Sequence, residues 1–398
     1  MTEKYFRKGF GLRREVAETL SIDYHSRIVD RIRENDFFLE VGNLNFRLAR
    51  EFGFCFGVER AVEYAYEASR KFAGKRLFLV GEIIHNPHVN QTLRQMGVTI
   101  LVPGSDGRFD YSSITDDDVV IIPAFGVTTQ DLRRLQESGC VLVDTTCGSV
   151  LNVWKRVEQY ARDGFTSLVH GKHFHEETQA TVSQIEKYGT GNYVVVRDQD
   201  ETELICNFIE REGDPSVLQA TFADKVSEGF DFSRDLQYVG IANQTTMLAS
   251  ESLAIENRVR RALISRYGEE NIDEHFRSFG TICTATQERQ NAVLDLVEES
   301  LDMMVVIGGY NSSNTNHLAK LCSTRSPTFH IADASCIDPE QNRICYKPVG
   351  SMEDVVVEGW LGDGPKLIGI TAGASTPNNK IGETIERIVR IRGLSLPD

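Results

Sequence analysis

The sequence predicts an α/β fold in which parallel sheets are flanked by helices, preceded by a mainly helical N-terminal extension. Three observations lead to this prediction: short apolar runs that end at glycine or polar clusters, helical patterns between these runs, and an amphipathic stretch near the N-terminus. Short continuous apolar runs are typical of strands that are buried on both faces, as in parallel sheets. Their alternation with helices indicates a layered α/β architecture.

The predicted elements follow one another along the chain. The extension, residues 1–45, contains EVAETLSIDYHSRIVDRIREND, which predicts one or two short amphipathic helices. The predicted strands are, in order, RLFLVGEII, DVVIIPAFG, GCVLVDTT, FTSLVHG, YVVVRD, YVGIANQT, MMVVIGGY and LIGITAGA. Helical patterns such as VERAVEYAYEASRKF and ERQNAVLDLVEESL lie between them. In such sheets, functional residues are expected where strands end and helices begin.

The composition is that of an ordinary globular protein. Of the 398 residues, 41% are hydrophobic and 25% are charged, and this length is enough for two or three domains. No apolar run approaches the roughly 18 residues of a membrane-spanning helix, and the N-terminus resembles neither a signal peptide nor a transit peptide. We therefore expect a cytoplasmic protein, or a stromal one if the chain derives from a plastid. The net charge of −15 argues against binding to nucleic acid or acidic membranes.

The charge is unevenly distributed. Residues 1–50 hold ten Lys and Arg against eight Asp and Glu, a net charge of +2, so the rest of the chain carries −17. Two interpretations of the extension remain open. It packs on the body as a structural arm, or it docks an acidic partner through its arginines Arg13, Arg14, Arg27, Arg31 and Arg33.

Three of the eight cysteines share a sequence context. Cys55, Cys147 and Cys283 each lie in a turn that leads into a predicted helix. A helix N-terminus favours the thiolate, and a set of thiolates selects iron–sulfur or zinc. Each cysteine taken alone is more simply a small buried hydrophobe, but the repeated context suggests three similar lobes that meet at a centre. The remaining cysteines, expected to be structural, are Cys140, Cys206, Cys322, Cys336 and Cys345.

Two further stretches suit an anion. MMVVIGGYNSSNTNHLAKLC and LIGITAGASTPNNKIGETIERI each lead from a strand through glycine, serine and asparagine or threonine into a helix. Backbone N–H groups and hydroxyls at a helix N-terminus bind phosphate well. Ordinary N-capping explains either stretch equally well. The polar segment HGKHFHEE likewise admits three interpretations: a metal site, an acid–base site or a solvated turn.

The motifs together identify a resemblance. Cys55, Cys147 and Cys283 occur with EIIHNPHV, HEET, NQTT, NSSNTN and TAGAS, and this set, over about residues 50–390, resembles the 4-hydroxy-3-methylbut-2-enyl diphosphate reductase (LytB/IspH) family. The resemblance implies a trefoil of three pseudo-threefold-related α/β lobes around a central iron–sulfur cluster. The expected lobes are residues 46–146, 147–280 and 281–398, and the first strand of lobe 1 is expected to be able to pack with lobe 3.

The resemblance also implies a role for each motif. Cys55, Cys147 and Cys283 would hold a 4Fe–4S cluster in which one iron has no protein ligand, and which would become 3Fe–4S on exposure to air. Glu177 would supply protons and Thr245 would orient the substrate alcohol. The residues expected to bind the substrate are His85, His175, Thr246, Ser312, Ser313, Asn314 and Ser375. In HGKHFHEE, His175 and Glu177 would then be the working residues, with His175 protonated beside the diphosphate and His170 and His173 as scaffold or rim. Lys172 and Glu176 are expected to be solvated.

The implied reaction is a two-electron reductive dehydroxylation of (E)-4-hydroxy-3-methylbut-2-enyl diphosphate to isopentenyl and dimethylallyl diphosphate. It is the last step of the methylerythritol phosphate route to isoprenoids. The implied partners are the small diphosphate substrate and ferredoxin or a similar electron donor; a homodimer remains open.

The sequence departs from the compact bacterial pattern. Phe125 in PAFGV stands where many members have histidine, and there are insertions around residues 208–235 and 335–362. The arm and Phe125 resemble the long forms of cyanobacteria and plants. Two rival functions are a non-catalytic iron–sulfur sensor or scaffold of the same fold, which would not need Glu177, and a phosphatase or phosphotransferase, which would not need three cysteines.

Overall fold

The structure is a computed structural model that describes residues 4–189 and 191–396. Its strands are β1 (Tyr5–Phe6), β2 (Phe38–Val41), β3 (Leu44–Leu48), β4 (Leu77–Val80), β5 (Val98–Leu101), β6 (Val119–Ile122), β7 (Val141–Asp144), β8 (Thr166–His170), β9 (Tyr193–Val196), β10 (Val239–Asn243), β11 (Phe276–Ser278), β12 (Met303–Ile307), β13 (Thr328–Ile331), β14 (Ile337–Asp338), β15 (Arg343–Tyr346), β16 (Val355–Glu358) and β17 (Lys366–Ala372). Its α-helices are α1 (Arg13–Tyr24), α2 (Arg27–Glu34), α3 (Phe56–Lys71), α4 (Pro87–Gln95), α5 (Thr129–Glu137), α6 (Gly148–Arg162), α7 (Glu176–Glu186), α8 (Gln199–Arg211), α9 (Ser216–Thr221), α10 (Phe232–Asp235), α11 (Ala249–Tyr267), α12 (Ile272–His275), α13 (Thr284–Leu296), α14 (Ser313–Cys322) and α15 (Asn378–Ile391).

The chain divides into two compact units. The first unit comprises the chain up to Arg7, Lys75–Gly81 and Thr99–Cys283. The second unit comprises Lys8–Gly74, Glu82–Val98 and the chain from Thr284 onwards.

The first unit contains two sheets. Their strand orders are β1-β7-β6-β4-β5 and β11-β10-β8-β9, and β7 pairs in parallel with β6 while β8 pairs in parallel with β10. Every residue of β6, β7 and β8 is buried, because helices cover both faces of a parallel sheet. The turns that follow β7 and β8 lead directly into α6 and α7 and carry the residues of the candidate site.

The second unit contains a larger sheet in the order β13-β12-β17-β3-β2. One face packs against α2 and α15 through side chains such as Phe46, Ile370 and Ile385, and the other face packs Met304 and Val306 against α13 and α14. Strand β3 pairs in parallel with β17, whereas β2 is an antiparallel edge strand. The insertion around residues 335–362 folds into a small antiparallel sheet, β14-β15-β16.

The predicted fold class is confirmed by these sheets, which are mainly parallel and flanked by helices. Each apolar run predicted as a strand contains one: β4, β6, β7, β8, β9, β10, β12 and β17. The proposed lobe limits, residues 46–146, 147–280 and 281–398, remain a prediction. Among the described residues, no helix combines the length and apolar character that crossing a bilayer requires.

The N-terminal extension is mainly helical, as predicted, and belongs to the folded body. Helix α2 buries Val29 and Ile32 completely, and both side chains join the core beneath the sheet of the second unit. Arg13 forms an ion pair with Glu63 of α3. These contacts support the structural interpretation of the arm.

Candidate functional site

Each of the three predicted cluster ligands lies directly before a helix. Cys55 is the N-cap residue of α3, Cys147 is the N-cap residue of α6, and Cys283 immediately precedes α13. All three are partly buried. The first N–H groups of a helix have no intrahelical partner, and the helix dipole stabilises a thiolate placed there. These positions therefore suit thiolates that bind metal.

In the first unit, the thiol of Cys283 lies beside the Cys147 turn. Ser149, in the first turn of α6, donates a hydrogen bond from Oγ to Sγ of Cys283 over 3.3 Å. The N–H group of Cys147 donates to the carbonyl oxygen of Ala124 over 2.9 Å, which ties the turn to the end of the neighbouring strand. The structure thus brings together two of the three predicted ligands within this unit.

In the second unit, the Cys55 turn is held from two sides. The Cys55 N–H group donates to the carbonyl oxygen of Ala374 over 3.2 Å. Arg289, only 3% exposed, donates to the carbonyl oxygens of Gly53 over 2.8 Å and Phe54 over 3.2 Å. These acceptors are neutral. A buried cation beside the Cys55 turn favours an anion there, such as a thiolate or an anionic cluster.

Three other cysteines differ from this set in their chemistry. Burial raises the pKa of the Cys206 and Cys322 thiols to about 12, and it also raises the pKa of Cys140. A thiol with a raised pKa stays protonated at neutral pH and binds metal poorly. These three buried thiols are therefore poor candidates for metal ligands.

The segment HFHEE positions two predicted site residues. The Glu177 N–H group donates to Nδ1 of His175 over 3.1 Å, which holds the imidazole against the first turn of α7. Glu177, 1% exposed, accepts at Oε1 from the Thr245 N–H group over 2.6 Å. The Thr245 carbonyl oxygen in turn accepts from the Cys283 N–H group over 3.4 Å. One residue, Thr245, therefore connects the predicted proton donor to the backbone of a predicted cluster ligand.

Gln244 joins the strand ends around this segment. Its Nε2 donates to Thr246 Oγ1 over 3.0 Å, and its Oε1 accepts from the Lys172 N–H group over 3.1 Å. A Cβ on Gly171 would lie 3.0 Å from the Gln244 side chain, so a larger residue there would push this link apart. The Lys172 side chain is half-buried, and burial lowers its pKa, which corrects the expectation that it is solvated.

The two other histidines of HGKHFHEE make contacts away from Glu177. His170 is fully buried, and its Nδ1 lies 2.7 Å from Oγ of Ser252. His173 is partly exposed, with Nε2 3.2 Å from a carboxylate oxygen of Asp224. Glu176 is exposed. These positions support roles for His170 as scaffold and for His173 as part of the rim.

In the second unit, NSSN leads into α14 and forms its first turn. Ser312 is the N-cap residue and accepts from the Thr315 N–H group at Oγ over 3.3 Å, and the next residue, Ser313, is buried. Asn314 accepts at Oδ1 from the Ala374 N–H group over 2.9 Å, which identifies the other amide atom as nitrogen. Among the described residues, this buried Nδ2 has no hydrogen-bond partner. A buried donor without an acceptor costs about 1–3 kcal/mol, and a bound diphosphate oxygen would remove that cost.

The TAGAS turn lies beside the NSSN turn, since Ala374 donates to Asn314. Ser375 donates from Oγ to the carbonyl oxygen of His85 over 3.2 Å. Two glycines are required by close approach: a Cβ on Gly373 would lie 1.9 Å from Thr315 Oγ1, and a Cβ on Gly309 would lie 2.7 Å from the carbonyl oxygen of His85. Glycine at these two positions therefore lets the backbone approach Thr315 and His85 closely.

The imidazole of His85 is oriented by a carboxylate. Its Nδ1 lies 2.9 Å from Oε2 of Glu82, and because a carboxylate only accepts, Nδ1 carries the proton. The His85 ring is buried, whereas Glu82 is partly exposed. The carboxylate therefore fixes the orientation of the ring.

Comparisons with known proteins identify the family. A model described as the LytB protein matches residues 46–389. Proteins named 4-hydroxy-3-methylbut-2-enyl diphosphate reductase from Thermosynechococcus vestitus and Gloeobacter violaceus are both 47% identical to this chain, over 395 and 397 residues. These alignments cover 99% of this chain and 96% and 94% of those proteins. The chain belongs to the LytB family.

Two solved structures are similar to this chain in fold. One is of (E)-4-hydroxy-3-methyl-but-2-enyl diphosphate reductase, described as the terminal enzyme of the non-mevalonate pathway. It matches with a TM-score of 0.52 at 27% identity, over 86% of this chain and 98% of that one. The other is of the E-1-hydroxy-2-methyl-but-2-enyl-4-diphosphate reductase from Plasmodium falciparum, with a TM-score of 0.63 at 19% identity, over 86% and 87% of the two chains. At that identity, the second likeness concerns the fold alone.

Phe125 is where this LytB chain departs from the expected histidine. Its ring stands edge-on to the ring of His175, with centroids 5.6 Å apart and planes at 85°. Edge-to-face packing of this kind orients an aromatic ring. Phe125 stands where the family pattern has a second imidazole. Its aromatic contact therefore helps to position His175.

Sequence reasoning missed four polar residues that hold the site. They are Glu82, Ser149, Gln244 and Arg289. Glu82 and Gln244 lie within quoted motifs and Ser149 lies beside Cys147. Their closeness to a motif could therefore have identified them. Arg289 lies in a helical pattern in which one arginine is indistinguishable from a solvent-facing charge, and only its burial shows its role.

Proposed function

We propose that this LytB chain is an iron–sulfur reductase that converts (E)-4-hydroxy-3-methylbut-2-enyl diphosphate to isopentenyl diphosphate and dimethylallyl diphosphate. The observation that carries the proposal is the hydrogen-bonded series from Glu177 through Thr245 to Cys283, which connects a buried acid to the backbone N–H group of a cysteine that directly precedes a helix. The names of the relatives supply the substrate. The alternative of an iron–sulfur sensor gives no reason for a buried acid in this series.

The reaction consumes two electrons and two protons. The bond between the allylic carbon and the hydroxyl oxygen breaks, the oxygen leaves as water with one proton, and the second proton adds to carbon at either end of the allylic group. Cys55, Cys147 and Cys283 would hold the 4Fe–4S cluster, which supplies the electrons and a Lewis-acidic iron when bound.

The diphosphate would be bound by hydroxyl, amide and imidazole groups. Asn314 would donate from its buried Nδ2, and Ser312, Ser313 and Ser375 offer hydroxyl groups at the same two turns. His85, His175 and Thr246 would add further contacts. Such binding would hold the reacting carbon in a fixed position, and this orientation contributes to the rate of the reaction.

Glu177 would deliver the proton that lets the oxygen leave as water. Its Oε1 accepts from the Thr245 N–H group, which holds the carboxyl group in place for the transfer. Thr245 would hold the substrate hydroxyl group next to this acid. Proton transfer from a positioned acid typically contributes about 10²–10⁴-fold to the rate.

The test is to replace Cys147 with serine and measure iron, sulfide and the anaerobic optical spectrum. We expect the variant to lose the cluster and its turnover with dithionite, while Cys345→Ser, a partly buried cysteine in the insertion, keeps both. Full iron content with full activity in Cys147→Ser would refute the assignment. A parental protein with an intact cluster that forms no product would favour the sensor.

We further propose ferredoxin or a similar small acidic protein as the electron donor. Two acidic bodies repel each other, and an exposed basic patch offsets this repulsion during encounter. Removal of the arm is a poor test, because it also removes the buried Val29 and Ile32. Arg14→Gln with Arg27→Gln, at two exposed positions, is cleaner. We expect slower turnover with ferredoxin at low salt and unchanged turnover with dithionite; equal rates with ferredoxin would exclude docking at these residues.

A further inference from the structure

The first described residues of the arm extend a sheet of the first unit. Strand β1 pairs in parallel with β7, with Tyr5 opposite Leu142 and Phe6 opposite Val143. The Leu142 N–H group donates to the carbonyl oxygen of Lys4 over 2.7 Å. Strand β7 ends at Asp144, and Cys147 follows three residues later. The arm therefore lies along the strand that leads into a predicted ligand turn.

Two side chains of the arm converge on the carboxylate of Asp144. Tyr5 donates from its hydroxyl group to Oδ2 over 2.7 Å, and Arg7 donates from Nε to the same oxygen over 2.9 Å. Arg7 also donates from Nη2 to the Tyr5 hydroxyl oxygen over 2.8 Å, so Tyr5 accepts from the cation and donates to the anion. The Asp144 side chain is only 4% exposed. A buried carboxylate needs a compensating charge, and Arg7 provides it.

The other carboxylate oxygen of Asp144 holds the turn itself. Oδ1 accepts from the Thr146 N–H group over 3.0 Å and from the Thr146 hydroxyl group over 2.5 Å. The neighbouring residues are tied to the adjacent strand end, since Thr145 donates to the carbonyl oxygen of Ile122 and Cys147 to that of Ala124. Asp144 therefore stands between the arm on one side and the ligand turn on the other.

We propose that Tyr5 and Arg7 are positioning residues for the Cys147 thiol and act on it through Asp144. They fix the carboxylate in the rotamer that holds Thr146, and this contact sets the path of the backbone into α6. The inference rests on the proposed function for the significance of Cys147 as a cluster ligand. The geometric effect on the thiol exists without the cluster, so it is measured in cluster-free protein.

The test compares Arg7→Gln and Tyr5→Phe with the control Lys8→Gln. Lys8 is exposed and adjacent to Arg7, so the control removes the same charge one residue further along the arm. Two quantities are measured in the cluster-free protein: hydrogen–deuterium exchange of peptides that cover residues 144–150, and the alkylation rate of Cys147, with Cys283 of the same sample as reference. For Arg7→Gln we expect exchange of the Thr146 and Cys147 amides to rise about tenfold, as loss of a charge-assisted hydrogen bond implies. The ratio of Cys147 to Cys283 alkylation should change severalfold, and both quantities should keep parental values in Lys8→Gln.

A third variant separates positioning from general destabilisation. In Asp144→Asn there is no buried charge for Arg7 to compensate, so adding Arg7→Gln should change exchange and alkylation much less than it does in the parent. Equal effects of Arg7→Gln in both backgrounds would overturn the proposal, as would parental exchange and alkylation at Cys147 in both single arm variants. If Arg7→Gln fails to fold, Tyr5→Phe, which keeps the charge, carries the same comparison. Failure of the proposed function would appear separately, as cluster retention in Cys147→Ser.

Discussion

Replacement of Glu177 by glutamine separates its proton chemistry from its structural contact. The amide oxygen of glutamine still accepts from the Thr245 N–H group, which lies 2.6 Å from Oε1 in the parent, but the side chain has no acidic proton. Exchange of a charged acceptor for a neutral one costs about 1 kcal/mol, so the variant should fold and load its cluster. Loss of the proton donor should lower turnover by about 10²–10⁴-fold.

Replacement by alanine should behave differently, because it also removes the acceptor. The Thr245 N–H group is then buried without a partner, at a cost of about 1–3 kcal/mol. The carbonyl oxygen of Thr245 accepts from the Cys283 N–H group, so a displaced Thr245 would also disturb a predicted cluster ligand. We therefore expect Glu177→Ala to lose iron as well as turnover, whereas Glu177→Gln loses turnover alone.

The assay is turnover with excess dithionite, measured beside iron content, substrate affinity and thermal unfolding. Glu186→Gln is the control, because Glu186 is an exposed residue at the end of the same helix, α7. It should match the parent in every measurement. If Glu177→Gln turns over at the parental rate, Glu177 is not the proton donor; if it loses iron to the same extent as Glu177→Ala, its role is structural.

Three further predictions concern the second unit. Asn314→Asp keeps the acceptor for Ala374 but removes the buried Nδ2 donor, so KM for the diphosphate should rise by at least about tenfold while thermal unfolding changes little; an unchanged KM would exclude the contact. Arg289→Lys keeps the charge but lacks the planar fork of donors that holds the Ala285, Gly53 and Phe54 carbonyl oxygens, so cluster iron should be lost to a chelator severalfold faster, and a parental rate would exclude a role at Cys55. Burial lowers the pKa of His330 to about 4, below its value of about 6.5 when unfolded. The unfolded state therefore binds the proton first, and the free energy of unfolding should fall by about 3 kcal/mol as the pH drops from about 6.5 to about 4. Urea unfolding of cluster-free His330→Gln should show a smaller fall, and an identical pH dependence would contradict this.

Buried strands were predictable because both of their faces touch helices. All residues of β6 and β8 are buried, and all except His170 are apolar or small, so each strand is visible as a continuous run. The strands that the sequence did not reveal lack this signal. β1 has two residues, and β16 in the insertion exposes three of its four. Their pairing depends on partners elsewhere in the chain, which periodicity within the segment does not record.

The thiols of the candidate site were predictable for a similar local reason. A turn that leads into a helix is visible in the sequence, and it carries the chemistry of a helix N-terminus with it. The groups that hold these turns were not predictable. Arg289 contacts Gly53 across 236 positions, and Arg7 contacts Asp144 across 137. Such contacts exist only once the sheets are assembled.

The basic arm shows what a charge count omits. A net charge of +2 over residues 1–50 suggested a docking surface, yet the structure assigns several of these cations to the fold itself. Arg7 compensates the buried Asp144, Arg13 pairs with Glu63, and Arg33 lies over the ring of Phe52. A cation engaged in this way attracts a partner protein less than one displayed to solvent, because its field is largely cancelled nearby. The case for a docked acidic donor therefore depends on the exposed Arg14 and Arg27, and the excess charge of the arm is no argument for it.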